Sequence, residues 1–117
     1  MPTIRDLVGA IRQREGVEAA VVLGRDGLLI DGQAVDHLDA ENVAAHVPQI
    51  VTTADEFGAI ASRGPLATAV LEHQGGLAVL SVLSAEAILL VLVQPSANLG
   101  QLLFELRRNR EHIAALV

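Results

Sequence analysis

The chain lacks several residue types on which common functional sites depend. Its 117 residues include no cysteine, tryptophan or tyrosine, and the only aromatic side chains are Phe57 and Phe104. Without cysteine there are no disulfides, thiol nucleophiles or cysteine-ligated metals, and this composition favours a cytoplasmic protein. The scarcity of aromatic rings argues against sites that stack bases, sugars or flat cofactors.

Positive charge is also scarce. All eight basic residues are arginine, against 14 acidic residues, which gives a formal net charge of -6. A phosphate backbone is therefore repelled on average, and we expect no nucleic-acid partner. A chain without lysine has no phosphate-binding loop of the Gly-Lys-Ser/Thr type, so we do not expect it to hydrolyse nucleoside triphosphates itself.

Aliphatic residues are what the chain has in abundance. Hydrophobic residues make up 51% and charged residues 19% of the sequence, a balance that excludes intrinsic disorder. A chain of this length forms one hydrophobic core, so we expect a single domain over residues 1–117. The most apolar stretch, 77–93, approaches the length of a membrane helix, but Glu86 lies inside a turn-like Ser-Ala-Glu segment. We therefore expect two strands there and no membrane insertion.

The first quarter of the chain predicts a helix and a hairpin. Thr3 and Asp6 form a capping-box pattern before apolar residues at helical spacing, and Gly16 is the expected end of this helix. An apolar strand over 17–23 follows, then a Gly-Arg-Asp-Gly turn and a short strand at 28–30. Residues 31–37 are interpreted as a polar connection.

A long second helix is predicted from an N-cap at Asp39 to about Arg63. Pro48 lies inside it and predicts a kink or a break. Apolar residues recur at alternating spacings of three and four along this helix, as in a heptad pattern. They are Val43, Val47, Ile50, Ala54, Phe57 and Ala61. Polar residues that flank this stripe are the candidate positions for contact with a partner protein, namely His46, Gln49, Thr53 and Glu56.

Three further strands, over 66–73, 77–83 and 87–93, are followed by one last amphipathic helix from Leu99. The predicted order is αββαβββα. The strands do not alternate apolar and polar residues, so both faces of the sheet need cover. We therefore predict an α/β (α+β) fold, a three-layer α/β/α sandwich with a five-stranded antiparallel sheet. A single helix is too little cover for one face, which predicts a homodimer.

Reactive groups form no convincing constellation. Asp36, His37 and Asp39 with His46 contain possible metal ligands, but they lack the spacing that places two imidazoles on one helical face. The serines lack a nucleophile pattern, and the arginines after Glu105 alternate with acids as on a solvated helix. We assign no catalytic residue, metal or cofactor. An enzyme is the least favoured function, and a small-molecule sensor ranks behind the hypotheses that follow.

Several segments resemble the roadblock/dynein light chain family. They are the two strands over 76–93, the Asn-Leu-Gly sequence at 98–100 and the Glu-Leu-Arg-Arg sequence at 105–108. The chain is most similar to short prokaryotic members of the MglB type, and the resemblance spans essentially its whole length. It implies a roadblock/profilin-like fold and a homodimer in which the third strands pair edge to edge and the second helices pack together.

The resemblance also implies a partner and a role. The partner is a small Ras-like GTPase bound across the two second helices, and hydrolysis is stimulated by repositioning the GTPase's own groups, so neither Arg25 nor Arg63 is expected to act as an arginine finger. The dimer contacts then fall on Val43, Val47, Ile50, Ala54, Thr68 and Val70. The alternative is a structural dimerisation module with no effect on GTPase turnover.

Overall fold

The computed structural model describes residues 2–117. It contains four helices and five strands within that range. In chain order these are α1 (Ile4–Arg12), β1 (Val17–Gly24), β2 (Leu29–Ala34), α2 (Ala40–Ile60), β3 (Thr68–His73), β4 (Gly76–Val82), β5 (Ala87–Val93), α3 (Leu99–Arg108) and α4 (Arg110–Ala115).

The five strands form one antiparallel sheet in the order β2-β1-β5-β4-β3. Each hairpin joins neighbours, and the pairing of β1 with β5, for example Val21 opposite Leu90, joins the N-terminal hairpin to the other three strands. The edges of the sheet are therefore β2 and β3. This arrangement confirms the predicted antiparallel sheet.

Each face of the sheet carries its own hydrophobic core. The core on one face contains Val8 of α1, Leu102 and Leu106 of α3 and Ile113 of α4, packed on residues such as Val79 of β4. On the other face, Val47 of α2 packs against the strand side chains that project toward that face. The three-layer sandwich is confirmed, with α1, α3 and α4 in one layer and α2 in the other.

Local signals in the sequence account for the helix starts. The Thr3 hydroxyl accepts a hydrogen bond from the Asp6 N–H, and the Asp6 carboxylate accepts one from the Thr3 N–H, which completes the capping box. Asp39 caps α2 by accepting from the N–H groups of Glu41 and Asn42. Helix α1 ends at Arg12, earlier than predicted, and Gly16 adopts a φ of 84° just before β1.

Strand β2 and the C-terminal helix also differ from the prediction. Residues 31–34 belong to β2 and not to a connection, because backbone pairing with β1 tolerates polar side chains on an edge strand. The C-terminal helix is two helices separated at Asn109, whose side-chain amide donates to the Glu105 carbonyl at 2.9 Å. The apolar stripe concealed this interruption, since Leu106 and Ile113 both remain buried.

Helix α2 continues through Pro48, so the predicted break is wrong. All 21 residues from Ala40 to Ile60 are helical. The helix ends three residues before the predicted Arg63, because the N–H groups of Arg63 and Gly64 both turn back to the carbonyl of Gly58, at 2.7 and 3.2 Å.

The apolar stretch 77–93 forms β4 and β5, with the turn that contains Glu86 between them. Within residues 2–117, none of the helices combines the length and the apolar character that a membrane span requires.

Candidate dimer and partner surface

Helix α2 has two apolar stripes, not one. The fully buried positions on the inner stripe are Ala44, Val47, Val51 and Gly58. The heptad pattern of the sequence shares only Val47 with this set. Its other members are half-buried or exposed, and Phe57 is 70% exposed. At 100° per residue the heptad stripe lies roughly 80° to one side of the inner stripe. We call this half-buried flank, Val43, Ile50, Ala54 and Phe57, the apolar flank of α2.

The apolar flank lies beside a part of the sheet that α2 does not fully cover. Helix α2 packs mainly on β1 and β2. On the same face, Leu71 of β3 and Leu92 of β5 remain only partly buried. A cavity of about 290 Å³ lies between these leucines and the helix, lined there by Val43, His46 and Ile50. Helix and sheet together therefore present a recessed apolar surface.

The predicted dimer residues on β3 lie on the opposite face of the sheet. Thr68 and Val70 are directly opposite Ser81 and Val79 of β4, and directly paired residues project from the same face. Val79 belongs to the core under α1, α3 and α4. Thr68 also accepts a hydrogen bond from the Arg110 guanidinium, whereas Val70 is 38% exposed. The structure therefore does not bring Thr68 and Val70 together with the apolar flank.

The backbone edge of β3 connects these two sets of residues. In the described part of the chain β3 pairs with β4 on one side only, so its outer N–H and C=O groups have no strand beside them. Such an edge is a template for pairing with another strand. The open edge of β3 therefore has the apolar flank beside one face of the sheet and Val70 on the other face, and we call these three features together the candidate surface.

The four predicted partner-binding residues all lie on the solvent side of α2. His46, Gln49, Thr53 and Glu56 are exposed. The His46 ring nitrogen Nδ1 lies 2.8 Å from the Asn42 carbonyl, which fixes that ring against its own helix. No sequence pattern distinguished the apolar end of this surface, where Ile60 is 85% exposed beyond Phe57.

Val47 has a different position from the other predicted dimer residues. It is 3% exposed and packs within the chain's own core. Val47 therefore lies between α2 and the sheet, whereas Val43, Ile50 and Ala54 retain accessible surface.

Asp55 connects three segments that border this surface. Its carboxylate accepts a 2.7 Å hydrogen bond from the Leu66 N–H and a 3.2 Å hydrogen bond from the guanidinium of Arg25. The Leu66 N–H, and next the Arg25 hydrogen bond, lower the pKa of Asp55 below its ordinary value of 3.8. The contact fastens the β1–β2 turn and the approach to β3 onto α2. Its partners lie 30 and 11 residues away along the chain, so no local pattern indicated it.

The possible metal ligands of the sequence, which all lie within the described residues, do not form a metal site. Asp39, one of the possible ligands from the sequence, caps α2. Across residues 2–117, no three histidine or acidic side chains are grouped so that they could hold a metal ion. What the candidate surface offers is apolar area, an open strand edge and polar side chains, which are the components of a protein–protein contact.

Comparison with known proteins identifies the family. The family model described as Roadblock/LC7 domain matches residues 3–93. The chain belongs to the Roadblock/LC7 domain family. The roadblock domain is 32% identical to the uncharacterised protein MJ1340 of Methanocaldococcus jannaschii over 106 residues, which cover 91% of this chain and 92% of the relative.

Solved structures confirm the roadblock fold. Myxococcus xanthus MglB superposes with a TM-score of 0.87 at 10% identity, over 97% of this chain and 93% of that one. A Roadblock/LC7 domain from Streptomyces avermitilis superposes with a TM-score of 0.85 at 22% identity, over 97% of both chains. At these identities the likeness establishes a shared fold, including the strand order that leaves β3 at an edge.

Proposed function

We propose that this chain is a single roadblock-type domain, residues 1–117, that acts in the cytoplasm as a non-catalytic homodimeric regulator or adaptor of a small Ras-like GTPase. The observation that carries the proposal is the apolar flank of α2 beside the incompletely covered half of the sheet and the open β3 edge. A second copy brings its own α2 and its own β3 to the same place, which a two-fold axis requires.

Burial favours the dimer. The apolar flank exposes Phe57, and the sheet beside it exposes part of Leu71 and Leu92. Removing such surface from water contributes roughly 25 cal/mol per Å². Pairing of two β3 strands would also satisfy the outer backbone groups of the edge. Val43, Ile50, Ala54 and Val70 are the proposed contacts, with Val47 and Thr68 in supporting positions.

The resemblance to MglB-type members supplies the kind of partner, and the geometry supports where it would bind. In a dimer with paired α2 helices, His46, Gln49, Thr53 and Glu56 stay on the outer side of the helix pair. The bond between Arg25 and Asp55 supports a role that repositions the partner's groups, because a guanidinium engaged within its own chain is not free to enter another active site.

The test measures phosphate release by a purified small Ras-like GTPase of the bacterial type, taken from the same organism and mixed with this protein. The wild-type protein should bind the GTPase and accelerate single-turnover hydrolysis. Substituting Thr53→Arg, on the solvent side of α2, should weaken binding and reduce the stimulation about tenfold, because a bulky cation in a contact removes both fit and charge balance. Glu15→Arg introduces the same side chain at an exposed site outside α2, with an even larger change in charge, and should leave both unchanged.

Two outcomes separate regulation from scaffolding. Measurable binding with an unchanged hydrolysis rate would eliminate stimulation and leave the scaffold alternative. Equal effects of Thr53→Arg and Glu15→Arg would contradict the proposed binding surface itself.

A further inference from the structure

Helix α3 carries a second stripe beside the one that points into the core; its Leu103 is partly buried against that core, and its other members are exposed. Leu102 and Leu106 point into the core and are 4% and 5% exposed. A different set of residues lies on the neighbouring side of the helix, and we call it the outer stripe of α3. Its members are Gly100, Leu103, Phe104, Arg107 and Arg108.

The spacing of the outer stripe is that of a helix-packing surface. Positions i, i+3, i+4, i+7 and i+8 lie along one side of a helix, where a second helix can lie against them. Phe104 lies at the centre of the stripe and is one of only two aromatic residues in the chain. Its large apolar side chain is 61% exposed. Exposed aromatic side chains flanked by arginine are typical of the residues that dominate protein–protein binding.

The shape of this region suits a close approach. The outer stripe lines a shallow, open depression of about 460 Å³ on the side of α3. Gly100 leaves its end open, since a β-carbon placed there would meet only the Asn98 side-chain oxygen, at 3.8 Å. Small residues allow two helical backbones to come near each other.

The charge of the outer stripe is opposite to that of the whole chain. Arg107 and Arg108 are exposed, and the two ion pairs found among residues 2–117, Arg14 with Glu105 and Arg25 with Asp55, include neither of them. The nearby carboxylate of Glu105 is thus already engaged by Arg14. A chain of net charge -6 therefore displays two unneutralised guanidinium groups beside its exposed phenylalanine.

We propose that the outer stripe of α3 is a docking surface for an acidic amphipathic helix of another protein. The partner's apolar residues pack on Leu103 and Phe104, its backbone passes closest at Gly100, and its carboxylates accept hydrogen bonds from Arg107 and Arg108. Guanidinium groups form paired hydrogen bonds with carboxylates, which adds orientation as well as attraction.

Two other occupants fit the outer stripe less well. A second copy of this region would bring two further arginines to Arg107 and Arg108 against one exposed carboxylate outside the two ion pairs, that of Glu111, so like charges would outnumber opposite ones. Anionic lipid surfaces are recognised by clusters of about four to eight basic residues, whereas this stripe has two. The α3 layer lies across the sheet from α2, so this docking surface is separate from the one assigned to the GTPase and can be occupied at the same time.

The test uses two designed helical peptides with the same leucine stripe, one flanked by glutamate and the other by lysine. Fluorescence anisotropy with the intact chain should show at least about tenfold tighter binding of the glutamate peptide, and a loss of that preference as salt rises. Phe104→Ala and Arg107→Glu should each weaken binding of the glutamate peptide about tenfold.

Matched controls lie on the β1–β2 turn and on another helix. Leu28→Ala removes another exposed apolar side chain, 69% exposed, and Arg5→Glu reverses an exposed charge on α1; neither should change binding of the glutamate peptide. The proposal is overturned if both peptides bind alike or neither binds. It is also overturned if phosphatidylglycerol vesicles, but not the peptide, bind in an Arg107-dependent way, or if Phe104→Ala reduces the oligomeric state of the chain.

Discussion

Gly27 lies directly against Pro48. A β-carbon at Gly27 would come within 3.3 Å of the Pro48 Cγ atom and 3.5 Å of the Ala45 Cα atom, and Gly27 itself has a φ of 88°. The β1–β2 turn therefore packs onto the middle of α2 where the proline ring protrudes. This contact gives Pro48 a packing role inside a helix that it would otherwise only weaken.

Replacing Pro48 by alanine should stabilise the chain. Proline costs about 3 kcal/mol relative to alanine inside a helix, and alanine restores an N–H donor for the Ala44 carbonyl. Loss of the contact with Gly27 offsets part of this gain, so we expect a net increase of about 1 kcal/mol in the free energy of unfolding by urea. Pro65→Ala, outside the helix, is the control and should change stability by less than about 0.5 kcal/mol. A less stable Pro48→Ala variant would mean that the contact with Gly27 outweighs the helical cost.

Glycine-to-alanine substitutions should have opposite effects in α2 and α3. A β-carbon at Gly58 would collide with the carbonyl oxygen of Gly64, where the chain turns back over the helix end. Gly58→Ala should therefore lower the free energy of unfolding by about 2 kcal/mol, despite the higher helix propensity of alanine. Gly100→Ala meets open space and should raise it by up to about 1 kcal/mol. Thermal unfolding of both variants and of wild type at equal protein concentration measures these opposite effects. A Gly58→Ala protein as stable as wild type would contradict the close approach of Gly58 to the Gly64 carbonyl.

Asp55 should make stability depend on pH in the acid range. Because the folded state lowers the pKa of Asp55 below 3.8, its contribution is complete above that value and is lost as the pH falls through the folded-state pKa. Asp55→Asn should therefore be less stable than wild type from about pH 5 to 8, with the difference shrinking below about pH 4. Urea unfolding over this range measures it. The control is Asp36→Asn, at an exposed position, for which the free energy of unfolding should change with pH as it does in wild type. A difference between wild type and Asp55→Asn that stays constant down to pH 2 would exclude the charge of the Asp55 carboxylate as its cause.

A charge on the β3 edge should separate the proposed dimer. Val70 is 38% exposed there, and Val70→Asp would place two carboxylates near the two-fold axis. Light scattering should give twice 12.3 kDa for wild type and 12.3 kDa for the variant. Ile30→Asp makes a similar change on the opposite edge strand, at a side chain 46% exposed, and should remain dimeric. A monomeric wild type, or a dimeric Val70→Asp protein, would contradict pairing through β3.

Much of the fold was predictable because it depends on local signals. The capping box at Thr3 and Asp6, the cap at Asp39 and the turn at 24–27 are short-range interactions that recur wherever their residues occur. The uninterrupted apolar composition of 87–93 predicted a strand buried on both faces, and all but Leu92 of this strand is buried. The local patterns failed at Pro48, whose ring packs against Gly27, and at Asn109, whose amide donates to the Glu105 carbonyl.

The candidate site was less predictable from the sequence than the fold was. Periodicity identified an apolar stripe on α2 and four polar residues around it, but it placed Val47 and Phe57 on one surface, whereas one is buried and the other exposed. It also could not show that Val70 and Ile50 lie on opposite faces of the sheet, or that Arg25 reaches Asp55.

The sequence alone therefore determined most of the elements, the three layers and an excess of aliphatic surface that one helix does not cover. The tertiary structure decided which flank of α2 remains accessible and which strand ends at an open edge. The reason is physical. Helical and strand periods describe each segment about its own axis, but the rotation of α2 on the sheet and the strand order β2-β1-β5-β4-β3 follow from long-range packing of both cores at once.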